Sequence, residues 1–489
     1  MYAISAGHEE TARAAEMILE EGGNAIDAAI AAFVASWVAE PCMSSAGGGG
    51  FAMAFGKSGQ VKLFDFFVQT PKRHKSLDQL DFYPIGIDFG STIEKFHIGK
   101  ASTAVPGSVA GIFALHRFAG TMPMRDLVQP AIEIAKRGVV INNFQLLDFQ
   151  LLEPILKKGG STGDKLYFPK GALIQKGDSM KMEALADFLD YLSRAGEEMF
   201  YKGEIAKKIA ADYANGGLLQ RQDFEDYKVQ ERIPLNIQYR GKQILTNPGP
   251  SLGGSCIAAI LSAIETKSTY PKNYQGREQI TFLYDVLSQM TKVHRTPEAL
   301  WRFVERQLRT KRGNTTHFNV VDKDGNAVSL TSTNGEGNGY FIEHTDIQMN
   351  NMMGEAALLP MGFHNWEADT RLSSMMAPTM VLGADQFPEI VLGSGGAGRI
   401  ASAIAQVIHL LMDHHLPLKQ AVNTARVHLE DTIYNIEKGF EQSPIALGHE
   451  LNWWNETSLY FGGVHSLQKK DGRWLATGDD RRDGVAKVG

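Results

Sequence analysis

Hydrophobic and polar positions follow two different periods along this chain, and the change of period separates helix-rich from strand-rich stretches. Residues 7–40 are rich in alanine and predict two helices separated by Gly22-Gly23-Asn24, because glycine ends helices and asparagine begins them. Further helical patterns cover residues 106–145, 180–230, 256–265, 280–312 and 399–412. In the first of these we expect Pro130 to open a second helix.

Strand patterns dominate the later part of the chain. The runs His317–Val321 and Ala327–Ser332 are rich in β-branched residues and are joined by a segment containing Asp324-Gly325, a strong hairpin signal. Further strands are predicted at Phe51–Phe55, Val61–Phe67, Met380–Leu382 and Glu389–Leu392. Helix-rich halves that bracket antiparallel strands predict a layered α+β architecture.

Length and composition limit the class of protein. A chain of 489 residues exceeds the usual size of one domain. No polar stretch is long enough for a linker, so one large core built from interleaved halves is an alternative to two or three domains. The net charge of −6 gives no electrostatic footprint for nucleic acid or an anionic membrane. The apolar run 28–39 is too short to span a bilayer, and no basic leader region precedes it. We expect a soluble cytoplasmic protein, or a periplasmic one if a leader was trimmed.

Few residues point to a metal or cofactor. Cys42 and Cys256 form neither a disulfide framework nor a ligand spacing, and no metal site is expected among the histidines. The run Gly47–Gly50 precedes a strand instead of opening a helix, and no Gly-Lys-Ser/Thr follows it, so a nucleotide site is disfavoured. We expect these glycines to serve close backbone packing. Gly393-Ser394-Gly395 lacks the spacing of a nucleophile elbow.

One threonine carries the chemistry of greatest interest. Asn314 and Thr315 lie where a basic helical pattern gives way to a strand. A threonine hydroxyl needs a base, and the α-amine of an N-terminal threonine, with a pKa of about 7.7–8, is a suitable one. An internal threonine lacks that amine, so the chain has to break first, by attack of the Thr315 hydroxyl on the carbonyl of Asn314. The prediction is a large subunit of residues 1–314 and a small subunit of residues 315–489.

The segment around Thr315 resembles the processing site of the γ-glutamyltranspeptidases, which are N-terminal-nucleophile hydrolases. The resemblance covers nearly the whole chain and identifies it as a divergent member of that family. The other matching segments are Gly22–Ala29, Gly47–Phe51, Val105–Gly111, Gly120–Pro123, Arg371–Met375, Gly393–Gly396 and Arg481–Gly484. The resemblance implies a four-layer αββα sandwich, with both subunits forming one unit as a heterodimer. Whether two such heterodimers pair is open.

The resemblance also implies roles for single residues. Thr315 is the nucleophile, and Thr333 hydrogen-bonds its amine and hydroxyl. Gly395 and Gly396 lie in the oxyanion-hole loop, whose second glycine, aligned without a gap, falls on Ala397. The residues expected at the substrate are Ser373 and Ser374 for a carboxylate, Glu355 for an amino group, and Asn334, Glu336 and Phe67. The implied reaction is amide hydrolysis or acyl transfer on a small molecule, as in glutathione metabolism, with no cofactor.

The departures from the family concern the substrate. Phe67 replaces the arginine that pairs with the α-carboxylate of a γ-glutamyl group, and an aromatic ring cannot make that bidentate pair. Met352 replaces a glutamine, and Gly335 an asparagine. We therefore expect an N-acyl or similar amide substrate and weak activity on glutathione. Two alternatives are a γ-glutamyl enzyme that recruits Arg73 or Arg399, and an unprocessed, inactive relative that acts as a binding protein.

Overall fold

Two large antiparallel sheets form the centre of the molecule. The computed structural model describes residues 1–88, 93–290, 314–359, 361–430 and 432–489. Within those ranges no helix is both long and apolar enough to cross a membrane. The strands are numbered along the chain. In spatial order the first sheet contains β22 (Val485–Val488), β1 (Ala3–Ala6), β11 (Thr315–Val321), β12 (Ala327–Thr333), β2 (Gly49–Phe55), β3 (Val61–Phe66) and β8 (Gln230–Arg232).

The second sheet packs face to face against the first, with β16 lying over β11 and β12. Its strands, in spatial order, are β21 (Arg473–Thr477), β20 (Gly463–Lys470), β16 (Pro388–Gly395), β15 (Thr379–Leu382), β10 (Lys242–Thr246) and β9 (Leu235–Tyr239). Small sheets contain β4 (Tyr83–Asp88) and β5 (Ile93–Ile98), β6 (Val139–Val140) and β7 (Ser179–Met180), β13 (Phe341–Ile342) and β14 (Ile347–Gln348), and β17 (Val427–Glu430), β18 (Ile433–Ile436) and β19 (Glu450–Trp453). Strands from both sides of position 315 contribute to each large sheet.

Helices cover the outer face of each large sheet. Those of the first half are α1 (Glu9–Glu20), α2 (Ala25–Ala39), α3 (Ser108–Ala119), α4 (Met124–Arg137), α5 (Asn143–Leu156), α6 (Gly160–Tyr167), α7 (Glu183–Ala195), α8 (Glu198–Tyr201), α9 (Glu204–Asp212) and α10 (Arg221–Asp226). In the rest of the described chain they are α11 (Gly253–Glu265), α12 (Arg277–Met290), α13 (Ile400–Met412) and α14 (Leu418–Asn423). Helices α1, α2 and α3 pack on the first sheet, and α11, α13 and α14 on the second. The predicted four-layer αββα sandwich is confirmed.

Strand β2 explains how the first sheet separates two cores. Its small side chains, Ala52 and Ala54, pack in the cluster that contains α2, whereas Phe51, Met53 and Phe55 pack in the cluster between the two sheets. Alternate residues of a strand face opposite sides, so the alternation of small and large residues matches a close helix on one face and a second sheet on the other. Every residue of α2 is buried, which accounts for its apolar composition.

The local sequence signals are confirmed in several places. Asn24 caps α2, accepting bonds from the backbone N–H groups of Ile26 and Asp27, while the Asp27 carboxylate accepts from the Asn24 N–H. The predicted hairpin is present as β11 and β12, with Asp322 and Asn326 at its turn. The predicted strand pair at β15 and β16 is also present.

Other predictions are wrong or fall outside the described residues. Pro130 does not open a helix but lies inside α4, which begins at Met124 after Pro123 and has Asp126 in its first turn. The start signal is therefore the earlier proline, and α4 tolerates one missing backbone donor at Pro130. Strand β1 was not predicted, because four small or apolar residues carry too little pattern. Of the predicted helix 280–312, the part from 291 to 312 lies outside the described residues.

Candidate active site

The register of the first sheet places three site residues at one end of neighbouring strands. Thr315, the first residue of β11, pairs with Thr333, the last residue of β12, and Thr333 pairs with Gly49 at the start of β2. Phe67 follows the end of β3, the next strand. Both threonines are buried, with 5% and 7% of their surface exposed. Residues distant in sequence therefore meet because antiparallel pairing aligns these strand ends.

Close backbone packing at this end requires glycine. A Cβ at Gly48 would overlap the carbonyl oxygen of Thr333, and one at Gly50 would overlap the carbonyl oxygen of Thr331. The expectation that the glycine run serves backbone packing is thus confirmed at these positions. Without side chains there, β12 and the segment before β2 approach closely enough to seat Thr333 beside Thr315.

The Thr333 hydroxyl is oriented toward the bond before Thr315. Its oxygen accepts a hydrogen bond from the backbone N–H of Gly335 at 3.1 Å. The hydroxyl itself donates to the carbonyl oxygen of Asn314 at 2.5 Å. A donor at a carbonyl oxygen stabilises the negative charge that develops there when a nucleophile attacks the carbonyl carbon. The arrangement favours attack at the Asn314–Thr315 peptide bond.

A pocket opens beside Thr315. We call it the Thr315 pocket. Its lining residues are Phe67, Asn314, Thr315, Thr333, Gly335, Met352, Glu355, Ala357, Leu358, Ser374, Met375, Met376, Ala397 and Ile400. Among these described residues Glu355 alone is ionisable, and none carries a positive charge. Most of the remainder are apolar, so the pocket favours an apolar group over a carboxylate.

Phe67, which lines the pocket, is held in place by a second aromatic ring and by hydrogen bonds to its backbone carbonyl. Its ring packs on Phe51 with centroids 5.6 Å apart, and its carbonyl oxygen accepts from the Tyr227 hydroxyl at 2.8 Å. The Arg371 guanidinium donates to the same carbonyl and to the Tyr227 oxygen, and lies 3.6 Å from the buried Asp65 carboxylate. An arginine therefore lies near this wall, but it is directed at the backbone of Phe67 and not into the pocket.

Glu355 fills space that Gly335 leaves open. Gly335 has a φ of +61°, and a Cβ there would overlap the Asn351 amide oxygen and a Glu355 carboxylate oxygen. The position therefore requires glycine for both conformation and space. The asparagine that the family has at position 335 cannot be accommodated here. The Glu355 side chain, longer than the family's aspartate, reaches the same region.

The two serines of the predicted pair separate. Ser374 is 4% exposed and lines the Thr315 pocket, and its oxygen accepts from the backbone N–H of Met376 at 3.1 Å. Ser373 instead donates to the carbonyl oxygen of Pro250 at 2.7 Å and does not line the pocket. Only one hydroxyl of this pair, that of Ser374, therefore lines the pocket.

The predicted oxyanion loop reaches the pocket through its last member. Ala397 lines the pocket, in a left-handed conformation with a φ of 48°. Gly395 lies behind it, where a Cβ would overlap the carbonyl oxygen of Thr315, and Gly396 packs against Gly462. The two glycines thus permit the end of β16 to approach the start of β11, and of these three loop residues Ala397 alone lines the pocket.

Asn334 and Glu336 lie outside the Thr315 pocket. The Asn334 amide donates to the carbonyl oxygen of Gln348 at 3.4 Å, and Glu336 lines a separate cavity. The two arginines considered as replacements for the family's arginine are also elsewhere. Arg73 donates to the carbonyl oxygens of Gly217 and Leu219, and Arg399 donates to that of Tyr460.

A buried arginine contacts the backbone of Thr315, and other buried ionisable groups lie on β11, on β20 and near the end of the chain. The Arg482 guanidinium donates to the carbonyl oxygen of Thr315 at 3.0 Å. Burial lowers the pKa of His317 to about 3 and that of His465 to about 4, so both are neutral at pH 7. Burial alone would raise the pKa of Asp479, but Arg426 and Arg481 hold it well below its usual range.

Several lining residues were not assigned from sequence. Ala357, Leu358, Met375, Met376 and Ile400 are apolar residues of the pocket lining that were not assigned. Met375-Met376 directly follows the serine pair, so position along the chain was an available signal. Arg371 and Arg482 lie in segments that match the family, but the match assigned no role to either side chain, because their contacts are to groups distant in sequence.

Comparisons with known proteins agree with this geometry. The family model described as gamma-glutamyltranspeptidase matches residues 11–296 and 281–489. The glutathione hydrolase proenzyme of Escherichia coli (strain K12) is 29% identical, over 88% of this chain and 81% of its own. The acylase ACY 1 proenzyme of Pseudomonas sp. (strain SE83) is 28% identical, over 92% and 87%.

A solved structure shares the whole fold. Cephalosporin acylase from Bacillus halodurans superposes with a TM-score of 0.82 at 21% identity, covering 99% of this chain and 95% of that one. At that identity the likeness concerns architecture, whereas the family match spans both halves of the sequence. The chain belongs to the gamma-glutamyltranspeptidase family and is a γ-glutamyltransferase-like amide hydrolase or acyltransferase of the N-terminal-nucleophile type.

Proposed function

We propose that this enzyme cleaves itself between Asn314 and Thr315. The Thr333 hydroxyl, which donates to the Asn314 carbonyl, stabilises the oxyanion as the Thr315 hydroxyl attacks. The C–N bond breaks, the amine of Thr315 is released, and an ester joins Asn314 to the Thr315 oxygen. Water then opens the ester, leaving a carboxylate on Asn314 and a free hydroxyl and amine on Thr315.

The two fragments remain together as a heterodimer. Strands β9 and β10 of the large fragment pair within the second sheet, and β11, β12 and β22 of the small fragment pair within the first. Separation would expose both cores and break these ladders, so the cleavage does not dissociate the molecule.

Catalysis on the substrate follows from the new N-terminus. The α-amine of Thr315 accepts the proton of its own hydroxyl, the oxygen attacks the substrate carbonyl, and the backbone N–H of Ala397 stabilises the oxyanion. The proton passes to the leaving nitrogen as the C–N bond breaks. The acyl group then leaves on water, giving hydrolysis, or on an amine, giving transfer.

The acyl group of the preferred substrate is apolar. The observation that carries this proposal is the lining of the Thr315 pocket, where Phe67, Met352 and Met375 are among the apolar residues and no described cation is present. A substrate carboxylate there would lose its hydration without gaining a guanidinium partner. The acylase name of a relative that is 28% identical supports the same conclusion. N-acyl amino acids are therefore the proposed substrate class.

A substrate panel tests this proposal on the cleaved enzyme. Glutathione, a γ-glutamyl anilide and N-acyl derivatives of one amino acid with acyl chains of increasing length are compared by kcat/KM. We expect the N-acyl series to exceed glutathione by at least roughly tenfold, as one lost charge-assisted hydrogen bond would produce. Faster turnover of glutathione would refute the apolar acyl group and favour a γ-glutamyl enzyme.

A further inference from the structure

A large groove lies on the helix-covered face of the first sheet, near its edge strand β8. Residues of α3, of α8 and of the segment 225–231 line it, and its volume is about 650 Å³. We call it the Tyr227 groove. None of the described residues that line it also lines the Thr315 pocket. Proteins bind small organic molecules in cavities of this size.

The buried part of the groove lining is small and aromatic. Ala110 and Ala114, four residues apart on α3, present only methyl groups to the groove, so this face of the helix leaves space open. The rings of Tyr201 and Tyr227 stack with their centroids 5.5 Å apart and their planes 7° from parallel, and both residues are buried. An apolar group placed against these four residues would therefore lose unfavourable contact with water.

One positive charge on the rim of the Tyr227 groove has no counter-charge. Each carboxylate of the described lining has a cation partner at 2.5 to 2.7 Å, and the pairs are Lys62–Glu231, Arg117–Glu197, Lys202–Glu198 and Arg221–Glu225. The ammonium group of the exposed Lys228 forms no ion pair with any described residue. An anion therefore gains a partner at Lys228, whereas a cation would have to compete for a carboxylate that is already paired.

The Tyr227 side chain connects the groove with the wall of the Thr315 pocket. Its hydroxyl donates to the carbonyl oxygen of Phe67 at 2.8 Å, and Phe67 lines the pocket. The Arg371 guanidinium donates to the Tyr227 oxygen at 2.5 Å and lies 4.7 Å from the ring centre. Gly107 leaves room for this contact, because a Cβ there would overlap the Tyr227 oxygen. One side chain thus contacts the groove with its ring and the pocket wall with its hydroxyl.

Tyr201 holds the other face of the Tyr227 ring. The Tyr201 hydroxyl donates to the carbonyl oxygen of Pro106 at 3.0 Å and accepts from the backbone N–H of Ala110 at 3.1 Å. The Tyr227 ring therefore packs against a neighbour that is fixed to the backbone. Because close-packed groups transmit small displacements, a ligand that contacts Tyr227 in the groove also acts on the Phe67 carbonyl.

We propose that the Tyr227 groove is a second ligand site for an organic anion with an apolar body and one carboxylate, and that its occupation changes the acyl preference of the Thr315 pocket through Tyr227 and Phe67. The apolar body lies against Ala110, Ala114 and the tyrosine pair, and the carboxylate pairs with Lys228. The groove is present in the uncleaved chain, so binding does not require cleavage.

Calorimetry on the uncleaved Thr315→Ala chain tests the site without turnover. The probes are 4-phenylbutyrate and its neutral primary amide, 4-phenylbutanamide, which differ in the carboxylate. At low salt we expect the acid to bind at least roughly threefold more tightly than the amide, the effect of one exposed ion pair. Equal affinities overturn the assignment of an anion, and an absence of binding by both compounds overturns the site.

Variants locate the binding to this groove. Lys228→Glu should weaken binding of the acid at least roughly fivefold, whereas the same charge change at Lys170, an exposed lysine outside the groove, should leave it within about twofold. Ala114→Phe fills the groove and should weaken binding of acid and amide alike by at least roughly tenfold. The same affinity in Lys228→Glu and Lys170→Glu, or full affinity in a folded Ala114→Phe chain, overturns the location.

Tyr227→Phe tests the connection to the pocket, because it keeps the ring and removes the hydroxyl that holds the Phe67 carbonyl. The readout is the ratio of kcat/KM for two amides of different acyl length. A compound that only competes for the Thr315 pocket lowers both values by the same factor and leaves the ratio unchanged. Saturating 4-phenylbutyrate should change this ratio at least roughly fivefold in the cleaved enzyme and not in Tyr227→Phe.

Each outcome of that experiment decides one part of the inference. An unchanged ratio in the cleaved enzyme overturns the coupling, and an equal change in Tyr227→Phe overturns its route through the hydroxyl. The ratio can be measured on any two amides that the enzyme cleaves, γ-glutamyl compounds included. Faster turnover of glutathione would therefore refute the proposed apolar acyl group and leave both the site and its coupling open to the same tests.

Discussion

The hydroxyl of Thr333 donates a hydrogen bond to the carbonyl oxygen of Asn314, 2.5 Å away, in the uncleaved chain. These two residues are joined by the pairing of β11 with β12, since Thr333 lies directly opposite Thr315. The contact places a hydrogen-bond donor at the one carbonyl whose attack would release an N-terminal threonine. It connects the fold of the hairpin with the chemistry of maturation.

Removing the Thr333 hydroxyl should slow chain cleavage. Thr333→Val keeps the shape but loses the donor, and the loss of one oxyanion donor costs roughly 100-fold or more in rate. Thr333→Ser keeps the hydroxyl and should cleave within about tenfold of the wild-type rate. Gel analysis of freshly purified protein over time measures the disappearance of the 53.7 kDa chain. Cleavage of Thr333→Val at the wild-type rate would contradict this role.

Placing a guanidinium at position 67 should change the acyl preference. Phe67→Arg would offer a charge-assisted hydrogen bond to a substrate carboxylate, worth roughly 10–100-fold in affinity. The ratio of kcat/KM for glutathione to that for an N-acyl amino acid should rise by this amount. Phe67→Leu is the matched control, and its ratio should stay near that of the wild type. An unchanged ratio in a folded, cleaved Phe67→Arg enzyme would argue against the specificity assignment.

Arg371 should stabilise the protein through the backbone of Phe67. Arg371→Met removes the hydrogen-bond donor to the Phe67 carbonyl and one of the two cations beside the Asp65 carboxylate. The other cation, Arg232, keeps its ion pair with Asp65 at 2.7 Å. Because one partner remains, the expected loss in the free energy of unfolding is roughly 2–4 kcal/mol. Urea unfolding of the uncleaved Thr315→Ala background measures it.

Lys228→Met serves as the control for that experiment. The Lys228 side chain is exposed, and only its backbone carbonyl accepts from Arg371, so this variant should stay within about 0.5 kcal/mol of its parent. A loss in Arg371→Met no larger than in Lys228→Met would show that the contact adds no stability.

The buried His465 should make stability depend on pH. Its pKa falls from 6.5 to about 4 on folding because of burial, so between these values the unfolded chain binds a proton that the folded chain does not. Stability should therefore decrease as pH falls from 6.5 to 4, by about 3 kcal/mol for this group. In His465→Gln that dependence should be smaller, as measured by urea unfolding at pH 4.5, 5.5 and 6.5. An identical dependence in both chains would contradict it.

More of the fold than of the site could be predicted from the sequence. The hairpin of β11 and β12 and the capped α2 have local signals, Asp324-Gly325 and Asn24, and both are confirmed. The separation of Ser373 from Ser374 could not be predicted, since it depends on the carbonyl of Pro250, which is distant in sequence.

The same reason explains the other departures at the site. Ala397, where the ungapped alignment places the second oxyanion glycine, does line the pocket, but Gly395 and Gly396 do not, because they pack against Thr315 and Gly462. Glu336 is near the site in sequence but lines a separate cavity. Sequence patterns identify the loops, and the tertiary packing selects the residues within them.

The central claim is that Thr315 acts only after becoming an N-terminal residue, and intact-mass measurement of the active enzyme tests it most directly. The account predicts two species that sum to the mass of the chain plus one water, with the smaller comprising residues 315–489 and beginning at Thr315. Thr315→Ala should give one uncleaved, inactive chain. An enzyme that hydrolyses amides as an unbroken 489-residue chain, or whose small fragment begins elsewhere, would contradict the account.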